Sequence, residues 1–216
     1  MIELVVFDVA GTTVNEGGTV YRVLADTVRA AGGDPSPAEI EAWMGASKRA
    51  AIQALLTDAS DAVVDEAFAD FRKRLATAYQ ESPPVPFPGV TELIAALRAA
   101  GVKVALSTGF DRETTASLLA SIGWGPATLD AVVCIDDVAA GRPAPYMTFH
   151  AMEATGVQDV RRVLVAGDTV RDVEAGRNAG AALVVAVLTG EVSQESLADA
   201  GPTHVLPGVV EIPELF

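Results

Sequence analysis

The chain has 216 residues, half of them hydrophobic and 20% charged. That is enough for one core domain with a small insert, and too apolar for intrinsic disorder. Fifteen Lys and Arg against 29 Asp and Glu give a formal charge of −14, which with no basic stripe argues against nucleic acid as a partner. No run of about 18 apolar residues passes without a charge or a breaker, so no membrane-spanning helix is expected. One cysteine, Cys134, and two histidines, His150 and His204, exclude an internal disulfide, a cysteine zinc site and a multi-histidine metal centre. The start, Met1–Asp8, lacks a basic region and reads as a first strand, not a signal peptide. A cytoplasmic protein is expected.

In chain order, residues 2–8 form a short apolar run that ends at Asp8 and empties into Ala-Gly-Thr-Thr, the pattern of a buried strand and loop. From about Gly18 to Ser82 the pattern is helical. Val20, Val23, Leu24, Thr27 and Val28 keep helical spacing, and Ile40, Trp43 and Met44 repeat it. The segments Lys48–Leu56 and Asp61–Gln80 continue it, with Asp61, Asp65, Glu66 and Asp70 on a solvated face. The run Ser82-Pro-Pro-Val-Pro-Phe-Pro-Gly reads as a semi-rigid connector. Beyond it strand and helix alternate: helix Val90–Ala100, strand Val102–Leu106, helix Asp111–Ile122, strand Ala131–Ile135. Helix Pro145–Thr155, strand Val163–Ala166, helix Arg171–Ala179 and strand Ala182–Leu188 follow. His150 is expected on a helix face, His204 at a strand start, and Cys134 as a buried small residue of its strand.

Apolar strands between amphipathic helices indicate a parallel sheet covered on both faces. The expected fold is therefore α/β: a doubly wound parallel-sheet core, residues 1–17 and 83–216, with a helical cap, residues 18–82, inserted after the first strand. Ligands of such sheets bind beyond the carboxyl ends of the strands. Those ends carry Asp8, Ser107 with Thr108, Asp136 with Asp137, and Gly167 with Asp168. Asp172 lies one helical turn past Asp168. With Asp8, this pair supplies the oxygen ligands that a hard cation such as magnesium takes.

Four segments resemble, in order, the motifs of the haloacid dehalogenase superfamily: Asp8-Val-Ala-Gly-Thr-Thr, Leu106-Ser-Thr-Gly, Gly141-Arg-Pro-Ala-Pro and Gly167-Asp-Thr-Val-Arg-Asp. The resemblance spans essentially the whole chain. It implies that Asp8 is a nucleophile that takes phosphorus as an aspartyl-phosphate. Gly11, Thr12, Ser107 or Thr108, and Gly109 would surround the phosphoryl oxygens, and Arg142 would stabilise their charge. Magnesium would sit on Asp8, the Ala10 carbonyl and Asp168, supported by Asp172. A bridging cation and a fixed arginine suit these roles, because a carboxylate attacking anionic phosphorus meets repulsion.

Most phosphatases of that superfamily carry an Asp two residues after the nucleophile, as general acid. Here Ala10 stands there, and losing such an acid costs roughly 10²–10⁴-fold. The chain most resembles the phosphonatase branch, which shares this alanine. The likeness runs through Asp8–Val14, Gly141–Met147, Ala151-Met-Glu and Glu174-Ala-Gly-Arg-Asn-Ala-Gly. Phosphonatases use a cap lysine, in a Met-Gly-x-x-Lys pattern, that forms a Schiff base with the substrate aldehyde. The pattern is matched by Met44–Lys48, which implies Lys48 as that residue. Ser47 is a good helix N-cap and puts Lys48 in a first helical turn, where the helix dipole disfavours the ammonium. Two polar groups of the branch are missing: a histidine after the lysine is Ala51, and an aromatic hydroxyl is Phe110.

The expected substrate is a small phosphonate, phosphonoacetaldehyde or a relative, handled by a monomer or by a homodimer formed through the cap. The runner-up is a phosphatase for a small monoester such as phosphoglycolate. A non-catalytic phosphate-binding protein is the third reading. An α/β-hydrolase built on Ser107 and His204 lacks the first glycine of a nucleophile elbow, and leaves Asp8 and Arg142 idle. Trp43 is expected in the cap core.

Overall fold

The structure is a computed structural model and describes residues 1–215. Its centre is a six-stranded sheet, all of whose neighbouring strands run parallel. In chain order the elements begin with β1 (Leu4–Asp8) and β2 (Val14–Asn15). Four helices follow: α1 (Thr19–Ala30), α2 (Pro37–Ala42), α3 (Lys48–Leu55) and α4 (Asp61–Glu81). After β3 (Val85–Pro86) come α5 (Val90–Ala99), β4 (Lys103–Ser107), α6 (Arg112–Ser121) and β5 (Ala131–Val133). The chain continues through α7 (Tyr146–Thr155), β6 (Val163–Gly167), α8 (Val170–Ala179), β7 (Leu183–Val187), α9 (Gln194–Asp199) and β8 (His204–Leu206).

The strand order is β5-β4-β1-β6-β7-β8. The chain thus winds outward from β1 first to one side and then to the other, so the doubly wound α/β fold is as expected. β1 is central and wholly buried, and its alternation splits it between two cores. Val5 and Phe7 join α5 and α6 on one face, while Leu4 and Val6 meet α7 on the other. This two-residue period is what a strand covered on both faces requires. β1 is also where the strand order reverses, and a crevice opens at such a point beyond the strand ends.

The helices α1–α4 pack around their own cluster, which includes Leu24, Val28, Ile52, Val64, Phe71 and Leu75. On α4 the inward residues Val64, Ala67, Phe71 and Leu75 fall on one stripe. The segments into and out of these helices pair with each other: Val14 with Pro86 and Asn15 with Val85, antiparallel. The proline-rich connector thus carries a short strand that its composition concealed. Strand Ala131–Ile135 stops at Val133, because Ile135–Asp137 closes a 3₁₀ turn, and Cys134 caps that turn instead of lying in the strand. Among the described residues no helix is long and apolar enough to cross a membrane.

Candidate active site

Parallel pairing brings the ends of three strands together. Asp8 stands opposite Ser107 in the β1–β4 register, and Phe7 opposite Ala166 in β1–β6, which puts Gly167 and Asp168 beside the nucleophile candidate. Arg142 reaches in from the loop after β5 and binds all sides of this junction. Its Nη1 lies 2.6 Å from Asp8 Oδ1 and 2.8 Å from Asp172 Oδ1. Its Nη2 donates to the Ser107 carbonyl and to Ser107 Oγ, both at 2.8 Å. All four residues are buried. Such a cluster tolerates loss of a member poorly, since a buried charge would be left uncompensated.

The other oxygen of Asp172 accepts from the Thr169 hydroxyl and backbone N–H, while the Asp172 N–H returns to Thr169 Oγ1, a capping box that starts α8. Asp172 is therefore spent on Arg142 and on the helix start. Asp168 has one oxygen taken by the Thr12 hydroxyl at 2.7 Å.

Lys48 arrives from the helical insert. It is the first residue of α3, and Ser47 Oγ caps the helix by accepting from the Ala50 N–H. Lys48 is 5% exposed, and its ammonium donates to the Ala46 carbonyl at 3.0 Å. It faces the rings of Tyr21 and Phe110, 5.2 and 5.7 Å from their centres. Lys48, Tyr21, Phe110, Asp8, Ala10, Thr108 and Arg142 line one cavity of about 20 Å³, room for little more than a water. The insert lies closed on the strand ends.

Two glycines allow that contact. A Cβ on Gly109 would stand 2.6 Å from the Ala46 carbonyl, and one on Gly45, whose φ is +76°, would stand 2.3 Å from Thr169 Oγ1. Gly109, expected from its motif near the phosphoryl oxygens, is the seat of the loop that carries Lys48. Gly109→Ala is expected to displace that loop and lower kcat/KM by about 100-fold. Steady-state kinetics beside a thermal melt check this; a lost fold would show in the melt.

Not every strand end contributes. The Asp136 carboxylate accepts from the Arg112 N–H at 2.8 Å, and Asp137 accepts from the Cys134 N–H at 2.8 Å and pairs with Arg112. They cap the start of α6 and the 3₁₀ turn, a correction to the reading of these residues as members of the site. Thr108 lines the cavity while its hydroxyl accepts from the Phe110 N–H. Trp43 packs partly against the insert's core, with the Arg171 guanidinium 5.0 Å from its ring centre. Tyr21, on no motif, is the site residue that sequence reasoning missed. It lies off the apolar stripe used to find α1, and nothing local marks it.

The family model described as haloacid dehalogenase-like hydrolase matches residues 2–180. The chain belongs to this family. A phosphonoacetaldehyde hydrolase of Bacillus cereus is 34% identical over 197 residues, which cover 83% of this chain and 73% of that protein. Among solved structures, a hydrolase from Pseudomonas syringae superposes with a TM-score of 0.88 at 20% identity, covering 98% of this chain and 96% of that one. A phosphonoacetaldehyde hydrolase-like protein from Oleispira antarctica gives 0.85 at 21% identity, covering 99% and 91%.

Within this hydrolase the charges are unequal. Burial pushes the Asp8 carboxyl up to about 6, with Asp172 adding to the rise and Arg142 resisting it. Burial and repulsion from Asp8 and Asp172 push Asp168 well above the usual carboxylate range. Burial disfavours charge on Arg142 too, but Asp172 and Asp8 overcome it and hold the guanidinium protonated. Lys48 is pushed down to about 8, chiefly by burial.

Three buried carboxylates thus face two cations. Among the described residues no three Asp, Glu, His or Cys side chains gather as a ready cation cage. Magnesium needs none, since it is held by one or two carboxylates and fills its shell with water and substrate oxygens. Asp8, the Ala10 carbonyl and Asp168 suit it by donor type, and the excess negative charge suits it by sign.

Proposed function

We propose that this hydrolase cleaves the carbon–phosphorus bond of a small phosphonate, phosphonoacetaldehyde or a close relative. In this reading residues 18–82 act as a cap over a core of residues 1–17 and 83–216. The observation that carries it is Lys48, an amine buried in the same cavity as Asp8, where Ala10 offers no acid. The 34% identity to a phosphonoacetaldehyde hydrolase supports it.

Magnesium, held by Asp8, the Ala10 carbonyl and Asp168, would offset the charge of the phosphoryl group and the carboxylates when bound. The protein's own groups do the rest. The cap opens to admit substrate, since the closed cavity is too small for it. Arg142, with Thr108 and the backbone at Gly11, Thr12 and Gly109, orients the phosphoryl group against Asp8. The neutral Lys48 amine adds to the aldehyde, and loss of water gives an imine. Asp8 attacks phosphorus, and the electron pair of the breaking C–P bond moves into the imine as an enamine. A proton adds at carbon, and water releases acetaldehyde from Lys48. Water also hydrolyses the aspartyl-phosphate to phosphate. No leaving oxygen needs protonating, which fits Ala10.

A second reading has its own support. The Lys48 ammonium is held over two aromatic faces and by the Ala46 carbonyl. A lysine kept charged in this way would bind a second anionic group, such as the carboxylate of phosphoglycolate. Phosphate release with magnesium from phosphonoacetaldehyde, phosphoglycolate and p-nitrophenyl phosphate separates the two. Fast turnover of the phosphonate is expected, and turnover of monoesters alone would reject C–P cleavage.

A further inference from the structure

Tyr21 brings a hydroxyl into the site that no motif accounts for. It stands on the first turn of α1 and lines the cavity with Asp8, Ala10 and Lys48. Its oxygen accepts from the Gly45 N–H at 3.3 Å. That contact fixes the phenol against the loop that carries Lys48. The hydroxyl hydrogen has no acceptor among the described residues, so it is free for a ligand.

The position is complementary to the missing acid. Ala10, two residues past Asp8, has a side chain that ends at Cβ, and it packs with Tyr21 against the insert's core. An aspartate at residue 10 would add a carboxylate to a cavity of about 20 Å³ that the Tyr21 ring already lines. A phenol ordinarily titrates at about 10, so Tyr21 is a donor near neutral pH. Ala51 and Phe110 are apolar, and the cation at Lys48 is already bonded to the Ala46 carbonyl. Tyr21 is thus a neutral donor beside Lys48, the residue proposed above to meet the organic part of the substrate.

We propose that the Tyr21 hydroxyl donates a hydrogen bond to the oxygen on the organic part of the substrate. It selects compounds that carry an oxygen on the second atom out from phosphorus over those that carry only carbon there. The inference rests on the reading that phosphorus sits at Asp8, but not on imine formation by Lys48. It predicts a preference for oxygenated two-carbon substrates, whether aldehyde or alcohol.

The test uses the full chain with magnesium and two ligands, 2-hydroxyethylphosphonate and ethylphosphonate, which differ by one oxygen. Neither has a carbonyl, so neither forms an imine, and calorimetry reads binding alone. The wild type is expected to favour the hydroxyl ligand by about tenfold, the worth of one hydrogen bond in such a site. In Tyr21→Phe, which keeps the ring beside Lys48, that preference is expected to vanish. A preference that survives in Tyr21→Phe, or equal binding of both ligands to the wild type (including none), overturns the proposal.

Kinetics give a second reading. Tyr21→Phe is expected to slow phosphonoacetaldehyde, whose oxygen is on the second atom out from phosphorus, about tenfold more than p-nitrophenyl phosphate, whose leaving oxygen needs no donor. An equal fall on both kinds of substrate would mark a purely structural role and also overturn it. Absence of phosphonoacetaldehyde turnover in the wild type would reject C–P cleavage while leaving the ligand comparison intact.

Discussion

Asp8→Asn is expected to stop phosphate release from every substrate, by on the order of 10⁴-fold or more. Asparagine keeps the shape of the side chain and loses the nucleophilic oxygen. The fold should survive the change. Arg142 retains Asp172 at 2.8 Å and both Ser107 oxygens at 2.8 Å, so its charge is not left alone in the interior. Asp168 also loses a repelling neighbour. The measurement is a phosphate assay beside a thermal melt of the same preparation. Residual turnover within tenfold of the wild type, with an unchanged melt, would remove Asp8 as the nucleophile. Acid quench during turnover should trap phosphate on the wild type and none on Asp8→Asn.

Lys48→Arg is expected to abolish C–P cleavage, by about 10³-fold or more, while p-nitrophenyl phosphate hydrolysis falls by no more than about tenfold. Arginine preserves charge and reach, but its guanidinium stays protonated and forms no imine. The pH dependence has a definite sign. Imine formation needs the neutral amine, and burial pushes Lys48 down to about 8 from its ordinary 10.5. Trapping should therefore rise with pH through about 8 and level off above it, well below the pH that a solvated lysine would need. Borohydride reduction in the presence of phosphonoacetaldehyde, followed by mass spectrometry of the peptide holding Lys48, reads both predictions. A wild-type enzyme that cleaves the phosphonate but gains no mass at Lys48 would sink the imine mechanism.

The sheet edge was legible because parallel strands all end on one side, so listing the residues after each apolar run amounts to listing neighbours. Asp8, Ser107 and Asp168 met that expectation. Asp136 and Asp137 satisfied the same pattern and failed it, because β5 ends at Val133 and their carboxylates satisfy backbone N–H groups nearby. Sequence does not distinguish a carboxylate that caps a turn from one that faces a ligand. Lys48 was visible through a five-residue pattern and the capping serine. Its depth, and the aromatic rings on two sides of it, were not, since Tyr21 and Phe110 lie 27 residues before and 62 residues after it in the chain.

By itself the sequence determined the α/β class, the helical insert after the first strand, the order of the motifs and the chemistry of each candidate group. These follow from local periodicity and residue type, which a chain carries whether folded or not. The tertiary structure decided how those groups divide their bonds. Arg142 clamps Asp8, Asp172 and Ser107, Asp172 serves the helix start, and Gly109 seats the loop that carries Lys48. Tyr21 belongs to the site for the same reason. Burial and hydrogen bonding are set by groups far apart in the chain, and only packing the insert onto the strand ends brings them within reach.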